Sequence, residues 1–282
     1  MRICVTGSNG QVGTEVVELA LAAGHEVVAL GSTDVADPAL MDEAIGVAAP
    51  DAVIHCAAYT DVDGCESDPE RARRVNTEGV RVVAEAAERS GPGARVVAVS
   101  TDYVFDGSKA GPYVESDPTH PLGVYGRTKL GGEQALDLGR HAVARTSWVC
   151  GRVGRNVART VLRLADEGTA MKFVDDQRGH PTIARDLAGA LIRLAEDRAV
   201  GVWHVTNRGA VSWFEFAREV VRAGGGDPEI VTPITTAELD PPRPARRPAN
   251  SVLDSERYAP GQLLPDFRES LPELVRALRA GA

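Results

Sequence analysis

Cysteine is scarce in this 282-residue chain, and the four present, Cys4, Cys56, Cys65 and Cys150, form no C-x-x-C pair. Such scatter suggests neither a disulfide framework nor a zinc site, and a reducing cytoplasm is the expected compartment. Lysine is scarcer still: only Lys109, Lys129 and Lys172 stand against many arginines. No apolar run approaches the roughly 18–20 residues of a membrane span. The start, Met1-Arg2-Ile3-Cys4-Val5-Thr6-Gly7, enters a strand pattern without the apolar core and cleavage site of a secretory signal. A basic excess is missing too. The formal net charge of -9 gives no cationic footprint for nucleic acid or an anionic membrane, although a local basic pocket for a phosphorylated small molecule is compatible with it.

What is present is the balance of a globular protein, 43% hydrophobic and 25% charged, enough to bury a full core. Short β-branched or apolar runs at Arg2 to Thr6, Glu26 to Leu30, Asp51 to Cys56, Arg95 to Ser100 and His141 to Thr146 predict strands. Between them Gly10 to Ala23, Pro38 to Ala48, Glu70 to Arg89 and Val124 to Leu138 predict helices, with Asp37 before Pro38 as an N-cap. This alternation implies an α/β fold, a Rossmann-type doubly wound parallel sheet with helices on both faces. After Trp148 the rhythm loosens into helices at Asn156 to Glu167, Ala184 to Asp197, Ser212 to Ala223 and Asp266 to Leu278, with a strand at Val202 to Val205. The expected division is a nucleotide-binding domain over 1–150 and a smaller substrate-binding lobe over 151–282, some segments of which return to the first.

Three clusters carry chemistry. Gly7-Ser8-Asn9-Gly10-Gln11-Val12-Gly13 lies where the first strand turns into the first helix, the place where glycine lets backbone approach a pyrophosphate. Its Gly-x-x-Gly-x-x-Gly spacing departs from Gly-x-Gly-x-x-Gly, and a plain tight turn is the competing reading. The second strand ends in Leu30-Gly31-Ser32-Thr33 without an acid to hold the adenosine ribose; Asp34 comes later. Tyr125 and Lys129 fall one turn apart on a predicted helix, where an ammonium near a phenol lowers its pKa toward general acid catalysis. An isolated pair of this kind is more often a surface pair. Its company is Ser100-Thr101-Asp102-Tyr103-Val104-Phe105-Asp106-Gly107, which puts hydroxyls and a carboxylate at the carboxyl end of a central strand.

Taken with His55 to Asp63, Arg145 to Val149, Asp176 to Thr182, Ser212 to Ala217 and Arg247 to Asp254, these clusters make the chain resemble the extended short-chain dehydrogenase/reductases. Within them it is similar to the dTDP-4-dehydrorhamnose reductase family, over nearly the whole length. The resemblance implies a Thr101, Tyr125 and Lys129 catalytic set, with Tyr125 donating a proton and Lys129 binding the nicotinamide ribose while holding the tyrosine's pKa down. It implies a cofactor, NADPH or NADH, on Gly7, Gly10, Gln11, Val12 and Gly13, on Asp34 and Val35, and on Ala57, Ala58, Tyr59 and Thr60. A nucleotide-linked deoxysugar would meet Thr101, Asp102, Tyr103 and Trp148, with Arg247, beside Arg243 and Arg246, on its diphosphate.

Some relatives are magnesium-dependent dimers, so Mg2+ and a homodimer are admitted, but the resemblance assigns no metal ligands here. Leu30, where an acid would select NADH, leaves cofactor preference open. The implied activity is reduction of the C4 keto group of a dTDP-4-keto-6-deoxyhexose. Two other readings stay open: a dehydratase or epimerase of the same superfamily, disfavoured because Tyr103 stands where dehydratases place a glutamate, and a non-catalytic dinucleotide-binding regulatory subunit.

Overall fold

The computed structural model describes residues 1–91, 93–258 and 264–281. In chain order the longer elements are β1 (Arg2–Thr6), α1 (Gln11–Ala22), β2 (Glu26–Leu30), α2 (Pro38–Ala48), β3 (Ala52–His55), α3 (Gly79–Ser90) and β4 (Arg95–Thr101). Then follow α4 (Val124–Gln134), β5 (Ala142–Thr146), α5 (Val157–Asp166), α6 (Ala184–Glu196), β6 (Gly201–His204), α7 (Trp213–Ala223) and α8 (Phe267–Ala280).

β1 to β6 pair in parallel as one six-stranded sheet in the order 2-1-3-4-5-6. This is a doubly wound sheet, but among the described residues no strand lies outside β2, in contrast to the 3-2-1-4-5-6 order of the usual dinucleotide-binding sheet. The reason is local: residues 31–37 and α2 lead directly into β3, which crosses to the far side of β1. The winding reverses at β1, so the crevice beyond the carboxyl ends of β1 and β3 is where such a sheet takes a ligand.

Alternation along the strands builds the core. Ile3 and Val5 of β1 face one way with Ile54, Val97 and Ala144, packed by Val16 and Ala20 of α1 and Leu187 and Leu191 of α6. Cys4, Val53, Val96 and Val143 face the other way, packed by Met41 and Ile45 of α2 and Val80 and Val83 of α3. Each large aliphatic side chain so buried contributes about 1.5–3 kcal/mol. Asp37 caps α2 as expected, accepting from the N–H groups of Ala39 and Leu40 at 2.9 and 3.1 Å.

A second core joins α5, α7 and α8 around the fully buried Phe216 and Phe267. Capping boxes, Ser212 with Glu215 and Asp266 with Glu269, start α7 and α8. Although they follow residue 150, α6 packs on the sheet and β6 pairs with β5.

One expected helix carries a bulge, and another ends early. The helix expected over Glu70 to Arg89 runs without a break from Pro69 through α3, with a π-bulge over Arg74–Glu78. The helix expected to reach Leu138 stops at Gln134, with Ala135 as its C-cap. Among the described residues no helix is long and apolar enough to cross a membrane.

Candidate active site

β1 is followed by Gly7, whose φ of 62° lies in the left-handed region; a Cβ there would sit 2.7 Å from the backbone nitrogen of Ala57. Only glycine lets the ends of β1 and β3 come so close. Gly13 allows the first turn of α1 to fold back, since a Cβ on it would lie 2.3 Å from the Gly7 carbonyl oxygen. Gly10 is the N-cap of α1 and offers no side chain, and the first turn holds no acid. The backbone N–H groups that open α1, at Gln11 and Val12, therefore form a positive end without a competing carboxylate, which fits a pyrophosphate. The Gln11 side chain turns elsewhere: its Oε1 accepts from Gly151 N at 2.8 Å and Asn156 Nδ2 at 2.9 Å.

Asp34 is exposed and engaged by both terminal nitrogens of Arg74, at 3.2 and 2.5 Å, while Val35 is buried beside α3. The Arg74 pairing and the N–H of Ala36 hold the Asp34 carboxyl below its ordinary pKa. Ala57, Ala58 and Tyr59 follow β3 into the same crevice, half-buried, with Thr60 exposed.

Asn76, in the π-turn, holds this loop. Its Oδ1 accepts from Tyr59 N at 2.8 Å, and its Nδ2 donates to Tyr59 O at 3.1 Å and to Thr128 Oγ1 of α4 at 3.2 Å. Asn76 is fully buried, and the local widening of the helix turns its amide to face the 57–60 loop and α4 together.

Three successive turns of α4 meet the end of β4. Tyr125 faces the Thr101 hydroxyl, Lys129 Nζ donates to Val99 O at 2.7 Å, and Glu133 Oε1 accepts from Ser100 Oγ at 2.5 Å. The close approach requires Gly126, where a Cβ would lie 2.2 Å from the Tyr103 carbonyl oxygen. α4 has no side-chain cap of its own; Glu66 supplies one from Val62–Ser67, accepting from Val124 N at 2.7 Å.

Burial dominates the electrostatics here. It pulls the Lys129 ammonium down to about 8, opposed by Glu133 and Cys56, and it pushes the Tyr125 phenol above its ordinary range. The expectation that Lys129 lowers the phenol's pKa is corrected: the ammonium is directed at the Val99 carbonyl, and it is the Thr101 hydroxyl that opposes the effect of burial on Tyr125. Asp102 is 2% exposed, and burial pushes its carboxyl up to about 7. Its Oδ1 accepts from Thr101 Oγ1 at 3.0 Å, the nearby Ser251 hydroxyl also opposes the effect of burial, and its Oδ2 makes no hydrogen bond of good geometry among the described residues. His55 is pulled down to about 3 by burial and by Lys129, so it is a neutral partner of Thr6 at 2.8 Å.

On the far side of the crevice, Trp148 follows β5 with a φ of 46°, uncommon for a bulky residue. It stacks on Trp213 at 3.6 Å between ring centroids and 10° between planes. Tyr103 packs edge-on against Tyr125 at 5.8 Å. Arg247 does not stand as an open cation: its guanidinium bonds Asp63 at 3.0 and 2.8 Å and also engages Tyr103. Arg243 and Arg246 are exposed. Among the described residues no group of three or more His, Cys, Asp or Glu is arranged to hold a metal ion.

Asn76, Glu66 and Trp213 carry no local signal of their parts in this site. Glu133 does, since it lies four residues beyond Lys129 on the same helix face.

A doubly wound sheet with a glycine turn at its reversal point, and a Tyr and Lys one helical turn apart beside a strand-end Thr, defines a nicotinamide-dependent enzyme of the short-chain dehydrogenase/reductase class. Comparison with known proteins narrows this. The chain belongs to the family described as RmlD substrate binding domain, which it matches over residues 1–280. It is 43% identical to a dTDP-4-dehydrorhamnose reductase of Burkholderia thailandensis, with 99% of each chain covered. Among solved structures it is similar to a dTDP-4-dehydrorhamnose reductase of Clostridium acetobutylicum, at 36% identity and a TM-score of 0.92, covering 99% of this chain and 100% of that one. The corresponding Bacillus anthracis enzyme, solved in complex with NADP, is 31% identical with a TM-score of 0.90, covering 97% of this chain and 98% of the other.

Proposed function

We propose that this protein is an NADPH- or NADH-dependent reductase of the C4 keto group of a dTDP-4-keto-6-deoxyhexose, either dTDP-4-dehydrorhamnose or a related deoxysugar. The observation that carries the reading is the convergence of Tyr125, Thr101 and Lys129 where α4 meets β4, beside a buried Asp102 oxygen without a partner. The full-length similarity to named reductases supports the substrate class.

The nicotinamide, when bound, supplies the hydride. Tyr125 donates a proton to the substrate oxygen; because burial raises its pKa, the phenol stays in the donor form at neutral pH. The one Thr101 hydroxyl proton, donated to Asp102 Oδ1 in this structure, turns to the substrate oxygen when sugar binds and places it. Lys129 is held against β4 where its ammonium meets the ribose hydroxyls of the cofactor. Asp102 accepts from a sugar hydroxyl, which would satisfy its unpartnered oxygen. Gln11 and Val12 bind the pyrophosphate through backbone N–H groups. With Arg247 and Arg243 both bonded to Asp63, the exposed Arg246 is the cation for the sugar-linked diphosphate, and the 151–282 lobe is the substrate side.

The cofactor preference follows from Leu30-Gly31-Ser32-Thr33: no carboxylate repels a 2′-phosphate, and Asp34, the next acid, is neutralised by Arg74. Both cofactors are accepted, NADPH at least as well as NADH. The deciding experiment follows loss of reduced-nicotinamide absorbance with purified protein, dTDP-4-dehydrorhamnose and each cofactor in turn. Turnover is expected. Tight cofactor binding without turnover on any keto-sugar nucleotide would overturn the reductase reading in favour of a non-catalytic subunit.

A further inference from the structure

Glu133 is used by none of the chemistry above, yet it is among the most constrained side chains of the molecule. It is 5% exposed and bonded by Arg145 of β5 from Nε at 3.0 Å and Nη2 at 2.7 Å, with Ser100 Oγ at 2.5 Å. Arg145 is itself 5% exposed and lies over the Phe105 ring at 5.2 Å. Taking two charges out of water costs several kcal/mol per ion, so a buried pair is weak evidence for stability by itself. The cost falls beside Lys129, one turn back on the same helix face, which is 4% exposed and bonded to Val99, the neighbour of Ser100.

We propose that Glu133 is a positioning residue for Lys129: clamped by Arg145 and Ser100, its carboxylate keeps the buried ammonium charged and in place for the cofactor ribose. The other groups around Lys129 do not supply this. Half-buried Cys56, just past β3, supports the ammonium only as a thiolate, and desolvation pushes its thiol up to about 12; buried His55 is kept neutral. Tyr125 stays a neutral phenol, and Asp102 is shifted toward its neutral form. On the segments packed against α4, Glu66 accepts from Val124 N, Asp63 is paired with Arg247 and Glu78 with Arg73. Glu70, Arg71, Arg73 and Arg74 are exposed, as are Arg81, Glu85 and Glu88 of α3 in whole or part. Arg145 acts in the opposite sense, and Glu133 lies as its direct partner.

The proposal rests on the reading of Lys129 as the ribose-binding cation, and its test separates the two. With three lysines in the chain, side-chain NMR of lysine-labelled protein, with signals assigned through Lys109→Arg and Lys172→Arg, follows the Lys129 titration without substrate or turnover. Wild-type Lys129 is expected to titrate near 8. In Glu133→Gln the titration moves down by about one unit or more. Glu133→Asp, which keeps the charge, stays closer to wild type.

Cofactor affinity, measured by binding, then falls about 5-fold or more for Glu133→Gln near pH 8 and little near pH 6. An unmoved titration, or an affinity loss equal at all pH values, overturns the proposal and leaves Glu133 structural. Should Glu133→Gln not fold, a wild-type Lys129 that titrates below about pH 7 overturns it alone. A Lys129 titration as expected, without turnover on keto-sugars, overturns only the reductase reading.

Discussion

Asp63 and Arg247, 184 residues apart in the chain, meet through both oxygens and both terminal nitrogens at 3.0 and 2.8 Å. Arg243 Nη1 and Ala245 N add donors to the same carboxylate at 3.2 and 3.1 Å. The proline-rich segment 241–248 is thereby fastened to Val62–Ser67, and the arginines hold Asp63 below its ordinary pKa against the effect of burial. Arg247 also touches Tyr103, which packs against Tyr125, so the fastening reaches the proposed proton donor.

This clasp predicts a substrate-side defect. Asp63→Asn removes the charge and keeps the shape, and should raise KM for the sugar nucleotide about 10-fold while cofactor affinity holds. A thermodynamic cycle with Arg247→Gln should show coupling above about 1 kcal/mol, the size of a charge-assisted, partly buried pair. Coupling near zero would reduce the clasp to a surface contact.

Tyr125→Phe should fold, bind cofactor as wild type does, and lose roughly 10²–10⁴ in kcat. The raised phenol pKa adds a second expectation: over about pH 6–9 wild-type kcat shows no loss from ionisation of Tyr125. Retained turnover in the variant would remove Tyr125 from the donor role.

Asp102 predicts a pH dependence of stability. Its carboxyl is raised in the fold to about 7, so between the unfolded value of 3.8 and about 7 the native state binds more protons than the unfolded state. Its contribution is fully present below the unfolded value and is lost as pH rises through the folded one. The stability difference between wild type and Asp102→Asn should therefore move against wild type across that window, by on the order of a few kcal/mol. Denaturant melts of both proteins across this range measure it; a constant difference contradicts the burial argument.

Trp148 holds a left-handed backbone that costs on the order of 1–3 kcal/mol, and the stack on Trp213 helps maintain it. Removing the stack should let the ring leave the sugar side: Trp213→Ala should raise KM for the sugar nucleotide with kcat within about 2-fold, and Trp213→Phe should restore most of the loss. The exciton couplet in circular dichroism from two stacked indoles should vanish in either single variant. A couplet that survives would place the pair differently.

How much of this was legible in the chain differs by element. The continuous apolar run of β1 and the Asp37-Pro38 cap of α2 are local properties, set by side chains a few residues apart, and they place the elements within one or two residues. The glycine turn and the Tyr125 and Lys129 spacing are local in the same sense, since the helical repeat alone puts those two side chains on one face. The single helix expected over Glu70 to Arg89 forms, but its π-bulge at Arg74–Glu78 is decided by what Asn76 must reach across the fold, the Tyr59 loop and Thr128.

The sequence by itself determined the α/β layering, the position of the glycine turn and the side chains available for proton donation, because these follow from periodicity, backbone freedom and chemical type. Tertiary structure alone decided which of them act together. It brought Glu133 under Arg145, Asp63 under Arg247 and Trp213 onto Trp148, pairs joined only when strands and lobes close on each other. It also set the charge states, since the pKa of Lys129 or Asp102 depends on how much water the fold removes from around each group, and no residue spacing states that.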